Sequence, residues 1–130
     1  SIFFNVNLGG AVMPFFKSLP EDAGPGNVFS QYPEIFGLWA EMGQALINGP
    51  SPLTSGEREM IQAYVAGLMD VRYAHVAHVA AAEAQGIEVG LVAKLLENFD
   101  TAPLDDKLRP IFAYVRKHVL TPNNLTRVYQ

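Results

Sequence analysis

The sequence contains no cysteine among its 130 residues. Without a thiol, the chain can form no disulfide, no thiolate metal site and no thiol-based redox centre. Any chemistry that the protein carries out must therefore use oxygen and nitrogen groups, chiefly its carboxylates, its hydroxyls and its three histidines.

A long apolar run is also missing. No stretch reaches the roughly 18 to 20 residues that a membrane-spanning helix needs. The apolar stretch 2–16 has no basic residue in front of it, and Asn5, Asn7 and Pro14 interrupt it, which argues against a secretory signal peptide. The sequence therefore predicts no association with a membrane and a cytoplasmic location.

Charge of either sign is sparse, since charged residues make up 17% of the chain and the formal net charge is −4. Such a chain offers no electrostatic attraction for nucleic acid, which we do not expect as a partner. Apolar residues make up 49%. We expect a single domain over residues 1–130, with surplus apolar surface buried between the subunits of a homo-oligomer.

Strand-like alternation is absent, whereas apolar residues recur at helical spacing, so the sequence predicts an all-α fold. An irregular N-terminal segment over residues 1–32 precedes a helical body over residues 33–120. The predicted helices cover residues 33–49, 54–69, 71–85, 88–98 and 104–120, with Pro110 marking the true start of the last one. Near the end, Thr126 resembles a helix cap with four residues behind it. This arrangement is compatible with a truncated C-terminus or with a tail that docks on a partner subunit.

The stretch 53–86, LTSGEREMIQAYVAGLMDVRYAHVAHVAAAEAQG, is the centre of the predicted fold. Thr54 followed by Glu57 forms a capping box that opens its first helix. The break at Asp70 is so short that the two helices must pack as an antiparallel hairpin.

The second helix of this hairpin is built largely of Ala and Val, and it carries His75 and His78 one turn apart on the same side. Glu59 lies about 16 Å before the break and His78 about 12 Å after it, at about 1.5 Å per residue. An antiparallel hairpin therefore brings these two side chains to nearly the same level. We expect the Glu59 carboxylate and the His78 imidazole to lie within hydrogen-bonding reach.

Four segments between residues 26 and 122 carry a resemblance to a known family: GNVFSQYPEIFGLW, NGPSPLTSGEREMIQAYVAGL, VRYAHVAHVAAAEAQGI and, more weakly, LRPIFAYVRKHVLTP. The chain resembles the alkylhydroperoxidase-D-like and carboxymuconolactone decarboxylase superfamily, in its peroxidase-related branch. The resemblance implies an all-α helical domain with a central antiparallel hairpin and peroxidase or decarboxylase activity. It also implies a homo-oligomer built on dimers or on three-fold rings such as trimers and hexamers.

The family motif combines a Glu, a Cys-x-x-Cys pair, a Tyr before the second Cys and a His four residues after it. Glu59, Tyr73 and His78 match the motif, but the two cysteine positions fall on Val71 and Ala74. The thiolate nucleophile and its resolving partner are therefore missing, which excludes thiol peroxidase chemistry. The part of the motif that handles protons remains.

Three hypotheses follow for these residues. In the first, Glu59 and His78, assisted by Tyr73, carry out acid–base chemistry on a small-molecule substrate without a cofactor. In the second, the protein is a catalytically silent oligomeric binding or structural module, in which the Glu59–His78 pair only links two helices. In the third, His75, His78 and Glu59 bind a divalent metal as a two-histidine, one-carboxylate set.

Overall fold

The computed structural model describes residues 18–20 and 22–124 of the chain. Over these ranges the regular structure consists of six α-helices and one short 3-10 helix, with no strand. The all-α prediction is therefore confirmed at the level of fold class. None of the helices in the same ranges is long and apolar enough to cross a membrane.

The chain divides into two compact units, Ser1–Pro50 and Ser51–Gln130. The prediction of one domain over residues 1–130 stays a prediction. The aromatic residues of stretch 2–16 and the predicted cap at Thr126 lie outside the described residues.

The first unit contains α1 (Pro25–Phe29) and α2 (Pro33–Asn48). Helix α1 corrects the expectation that all of residues 1–32 are irregular. Pro25 occupies the first helical position, and the side chain of Asn27 accepts a hydrogen bond from the Gly24 amide at 2.9 Å, which caps the helix locally. This Gly- and Pro-rich stretch has the composition of a linker, but it contains the start of a short helix.

The second unit contains α3 (Ser55–Leu68), α4 (Arg72–Ala84), α5 (Leu91–Glu97), α6 (Arg109–Leu120) and the 3-10 turn Pro122–Asn124. Helix α3 lies at its centre, because it contacts α4, α5 and α6 and packs most extensively against α4. The core is formed by buried apolar side chains of all four helices and of the loop before α6: Met60, Ala63, Tyr64, Ala82, Leu91, Val92, Leu95, Ala102, Leu104, Leu108 and Phe112.

The starts of the last two helices of this unit are set by local backbone features. Gly90, with a φ of 81°, adopts the left-handed conformation immediately before α5, so the helix starts at Leu91 and not at residue 88. Before α6, the carboxylate of Asp105 accepts a hydrogen bond from the Lys107 amide at 2.8 Å and holds a turn. Helix α6 therefore begins at Arg109, next to the proline that the sequence marked as the true start.

The capping box at the start of α3 forms as predicted. The Glu57 amide donates to Thr54 Oγ1 at 3.1 Å, and the Thr54 amide donates to Glu57 Oε2 at 2.8 Å. The Lys107 ammonium also lies 3.0 Å from Glu57 Oε1. Burial by itself raises the pKa of Glu57, but the hydrogen bonds from the Thr54 backbone and from Lys107, together with the lysine charge, outweigh it and leave that pKa below its usual value.

Helices α3 and α4 pack against each other. Near their connection, the Val71 amide donates to the Ala66 carbonyl at 2.9 Å. At the other end, a Cβ atom added to Gly56 would lie only 3.0 Å from the Gln85 carbonyl oxygen, so a glycine is needed for the close approach of the two backbones. The turn between the helices includes Asp70 in the left-handed conformation, with a φ of 57°. This arrangement places side chains from the middle of each helix opposite one another.

Candidate functional site

The centre of the candidate site is a contact between Glu59 on α3 and His78 on α4. Glu59 Oε2 lies 2.7 Å from His78 Nδ1. The expectation that these two groups lie within hydrogen-bonding reach is therefore confirmed. Glu59 is the buried polar residue of the described core, with 1% of its surface exposed, whereas 34% of the His78 side chain is exposed.

Glu59 is buried because it belongs to the face of α3 that also buries Met60 and Ala63. A carboxylate in this position needs a hydrogen-bond donor, since an unpaired buried charge is strongly unfavourable. The ring of His78 supplies that donor from the neighbouring helix. The register of the two helices brings the His78 ring to the level of Glu59, where it forms this contact.

The contact fixes the chemistry of the His78 ring. An ionised carboxylate can only accept, so Nδ1 carries the hydrogen that it donates to Glu59. In the neutral ring, the lone pair then lies on Nε2. Nε2 is therefore the nitrogen that makes no contact with Glu59, and about a third of the His78 side chain is exposed. This arrangement, a carboxylate on one ring nitrogen and a free lone pair on the other, is that of a histidine base oriented by an acid.

His75 lies one turn before His78 on α4, but its partner is different. Its Nδ1 is 2.9 Å from the carbonyl oxygen of Ala63. A carbonyl oxygen only accepts, so His75 Nδ1 also carries a hydrogen and Nε2 is again the remaining nitrogen. The sequence could not indicate this contact, because a backbone carbonyl in mid-helix has no residue signature.

A shallow pocket of about 190 Å³ lies at the turn between α3 and α4. Its lining combines apolar side chains with one residue of each charge and one histidine: Ala66, Gly67, Asp70, Val71, Arg72, His75 and Leu96. Val71, which stands at the first cysteine position of the family motif, is part of this wall, whereas Ala74 at the second position is not. The family motif includes neither Arg72 nor Leu96. Leu96 belongs to α5 and reaches the pocket only through tertiary packing, which a sequence motif does not describe.

The proposed metal ligands are not assembled into one site. Among residues 18–20 and 22–124, no group of three or more His, Cys, Asp or Glu side chains is arranged to hold a metal ion. The Nδ1 atoms of His75 and His78 are each committed to a different acceptor, and Glu59 Oε2 is the acceptor of one of them. The divalent-metal hypothesis therefore has no ligand set in the described part of the chain.

Tyr73 is the second residue of α4 and is half-buried. It precedes His78 by five residues, which turns the two positions about 140° apart around a helix of 3.6 residues per turn. The two residues therefore lie on different faces of α4. The catalytic role assigned to Tyr73 stays a prediction.

Comparison with known proteins found no relative, since no family model, no curated protein and no solved structure matches the chain.

Proposed function

We propose that this protein is an acid–base enzyme for a small organic molecule, with His78 moving the proton and Glu59 orienting and polarising the histidine. The observation that carries the proposal is the 2.7 Å contact between a fully buried carboxylate and a partly exposed imidazole. We further propose that the chain is a cysteine-free member of the alkylhydroperoxidase-D-like superfamily. It would act as a homo-oligomer in the cytoplasm. Support for this assignment comes from the match of Glu59, Tyr73 and His78 to the family motif.

The proposed reaction is a reversible proton transfer. Neutral His78 accepts a proton at Nε2 from a C–H or O–H group of the substrate, and the electron pair of that bond stays on the substrate as an anion. The resulting imidazolium is stabilised by the Glu59 carboxylate on Nδ1, and it returns the proton to the product. A positioned base of this kind contributes on the order of 10² to 10⁴ to a reaction rate.

The burial of Glu59 supports this role. Water does not compete for the carboxylate, so its attraction for the positive charge formed on His78 is stronger than it would be at the surface. The pocket at the turn is lined by His75 and not by His78, which follows His75 by three residues, about 4.5 Å along the helix axis. It is the space that we assign to the substrate, with Val71 and Leu96 as apolar walls.

One observation favours a second candidate, the catalytically silent module. Two-thirds of the His78 side chain is covered, so the pair also suits a purely structural link between α3 and α4. In that case Glu59 and His78 stabilise the helix pair and no substrate reaches Nε2.

Exchange of carbon-bound hydrogen for deuterium, followed by NMR in heavy water, tests the proposal. The panel consists of small molecules with a C–H group next to a carbonyl, including lactones and β-keto acids. We expect the wild-type protein to accelerate exchange for at least one member, and Glu59→Gln and His78→Gln each to lower that rate at least 100-fold.

His118→Gln is the matched control, because His118 is an exposed histidine of α6 outside the site. It should exchange at the wild-type rate, as should the wild-type protein treated with a chelator. Equal exchange by the wild-type and His78→Gln proteins would contradict the acid–base proposal. Absence of exchange over the whole panel would favour the silent module.

A further inference from the structure

Two side chains of opposite charge line the pocket at the turn between α3 and α4. They belong to Asp70 and Arg72, which are two positions apart and both exposed. Among the described residues, neither charged group takes part in a hydrogen bond or an ion pair, and the two groups do not pair with each other. Both charges are therefore available to a ligand in the pocket.

The backbone at Asp70 indicates that the turn itself does not require this carboxylate. Asp70 has a φ of 57°, in the left-handed region that glycine adopts most easily. Aspartate tolerates this conformation when its side chain forms a local hydrogen bond. In the described part of the chain the Asp70 carboxylate forms none. Because such backbone outliers are concentrated at binding and active sites, this one points to a role for the carboxylate in the pocket.

The rest of the pocket lining is apolar apart from one imidazole. Val71 and Leu96 form an apolar wall. His75 donates from Nδ1 to the Ala63 carbonyl at 2.9 Å, so Nε2 is the acceptor of the neutral ring. Gly67 allows this ring to lie close to α3, because a Cβ atom at Gly67 would be only 3.1 Å from His75 Nδ1. The pocket thus combines a cation, an anion, an imidazole and an apolar wall, all from the second unit.

The size and the charges of the pocket limit the molecules that it can bind. Its volume of about 190 Å³ exceeds the roughly 150 Å³ of a cavity that holds one benzene molecule, so its ligand has on the order of six to nine non-hydrogen atoms. A simple carboxylate would pair with Arg72 but would lie near the like charge of Asp70. A simple amine would pair with Asp70 but would lie near Arg72. A molecule that carries both an ammonium and a carboxylate matches both charges.

We propose that the pocket at the turn binds a zwitterion of this size, namely an α-amino acid with a small apolar side chain. Its carboxylate binds Arg72, its ammonium binds Asp70, and its side chain packs against Val71 and Leu96. The proposal rests on the proposed function in taking this pocket as the substrate site, and it names the class of molecule that the site selects.

A titration followed by NMR tests the proposal on the full chain. The three ligands are valine, isovalerate, which lacks the ammonium, and isobutylamine, which lacks the carboxylate. The backbone amides of Gly67, Val71 and Leu96 report on the pocket. We expect valine to bind in the millimolar range and at least about three times more tightly than either analogue, since an ion pair at an exposed position changes an affinity by up to about fivefold.

Two substitutions separate the contributions of the two charges. Asp70→Asn should abolish the preference for valine over isovalerate, and Arg72→Gln should abolish the preference for valine over isobutylamine. Both variants should fold, because asparagine tolerates the left-handed conformation and Arg72 is exposed. Asp100→Asn and Arg116→Gln are the matched controls, the same changes at exposed positions outside the pocket, and they should bind valine as the wild type does.

Equal affinity of the wild-type protein for valine and isovalerate, or no binding of valine at millimolar concentration, would overturn the proposal. So would a preference for valine that survives both pocket substitutions. Because the titration measures binding without turnover, its outcome is separate from that of the acid–base proposal. Valine binding by a protein that exchanges no deuterium would support the zwitterion site and contradict only the enzyme. Exchange of a lactone without valine binding would contradict only the zwitterion site.

Discussion

The contact between Glu59 and His78 should be measurable as a coupling energy, and we expect about 1.5 to 2 kcal/mol. Hydrogen bonds that involve a charged group contribute about 1.5 to 3 kcal/mol. The lower part of that range applies here, because the 2.7 Å contact has one buried partner and one that is 34% exposed. A typical domain has a free energy of unfolding of only about 5 to 15 kcal/mol, so this contact is a substantial part of it.

The perturbation is a double-mutant cycle with Glu59→Gln, His78→Leu and the two substitutions combined. His78→Leu alone should be the most damaging variant, costing about 3 kcal/mol or more, because it leaves a buried carboxylate without a donor. Glu59→Gln should cost about 1 kcal/mol, since the amide oxygen can still accept from Nδ1. The combined variant should be more stable than the sum of the single effects indicates.

The assay is urea unfolding at neutral pH, followed by backbone circular dichroism. The only tryptophan, Trp39, lies in the first unit, so its fluorescence reports separately on a part of the chain that the substitutions do not touch. His118→Leu, the same change at an exposed position, should shift the stability by less than about 0.5 kcal/mol. A coupling energy below about 0.5 kcal/mol would refute the reasoning, since independent sites are additive within that limit.

Three further predictions concern the ends of the helices. Asp70→Gly should stabilise the protein by about 1 kcal/mol in the same assay, because a glycine adopts the left-handed conformation at φ 57° without strain. Gly86→Ala should destabilise it by about 1 kcal/mol, because Gly86 has a φ of 94° and no atom nearby that a methyl group could contact. For Glu57, folding lowers the pKa from 4.5, so its stabilising contribution is present above that pH and is lost as the pH falls through the folded-state value. The difference in stability between wild type and Glu57→Gln should therefore shrink below pH 4.5, whereas an unchanged difference would contradict the assigned role of the Lys107 and Thr54 contacts.

The sequence predicted the helices best where the signals for their ends are local. The Thr54–Glu57 capping box places the start of α3 within one residue, because both of its hydrogen bonds join residues three positions apart. The start of α5 was placed too early, and for α6 the apolar pattern extended the helix back to residue 104 although Pro110 marked the true start. In both cases the apolar spacing extends to residues before the helix, whereas the actual starts are set by the conformation of Gly90 and by the turn at Asp105.

The site was predictable only as far as helix register determines it. Counting residues from the break at Asp70 brought Glu59 and His78 to the same level, and the contact is observed. The same count gives no information on His75, whose partner is the backbone carbonyl of Ala63. Nor does it reveal the pocket at the turn, since Leu96 reaches it from a helix far along the chain.

A structural link and a catalytic pair predict different results when the Glu59–His78 contact is replaced by apolar residues, and one double variant distinguishes them. If the pair serves only to stabilise the two helices, it is a poor solution, because removing a carboxylate from water costs several kcal/mol and well-packed apolar residues of similar size stabilise as much or more. We therefore expect the apolar replacement Glu59→Met with His78→Leu to unfold at the same urea concentration as the wild type or at a higher one. The same variant should lose the deuterium exchange that we assign to His78. A destabilisation of more than about 2 kcal/mol would instead show that the pair is needed for the fold itself, and retained exchange would show that another group moves the proton.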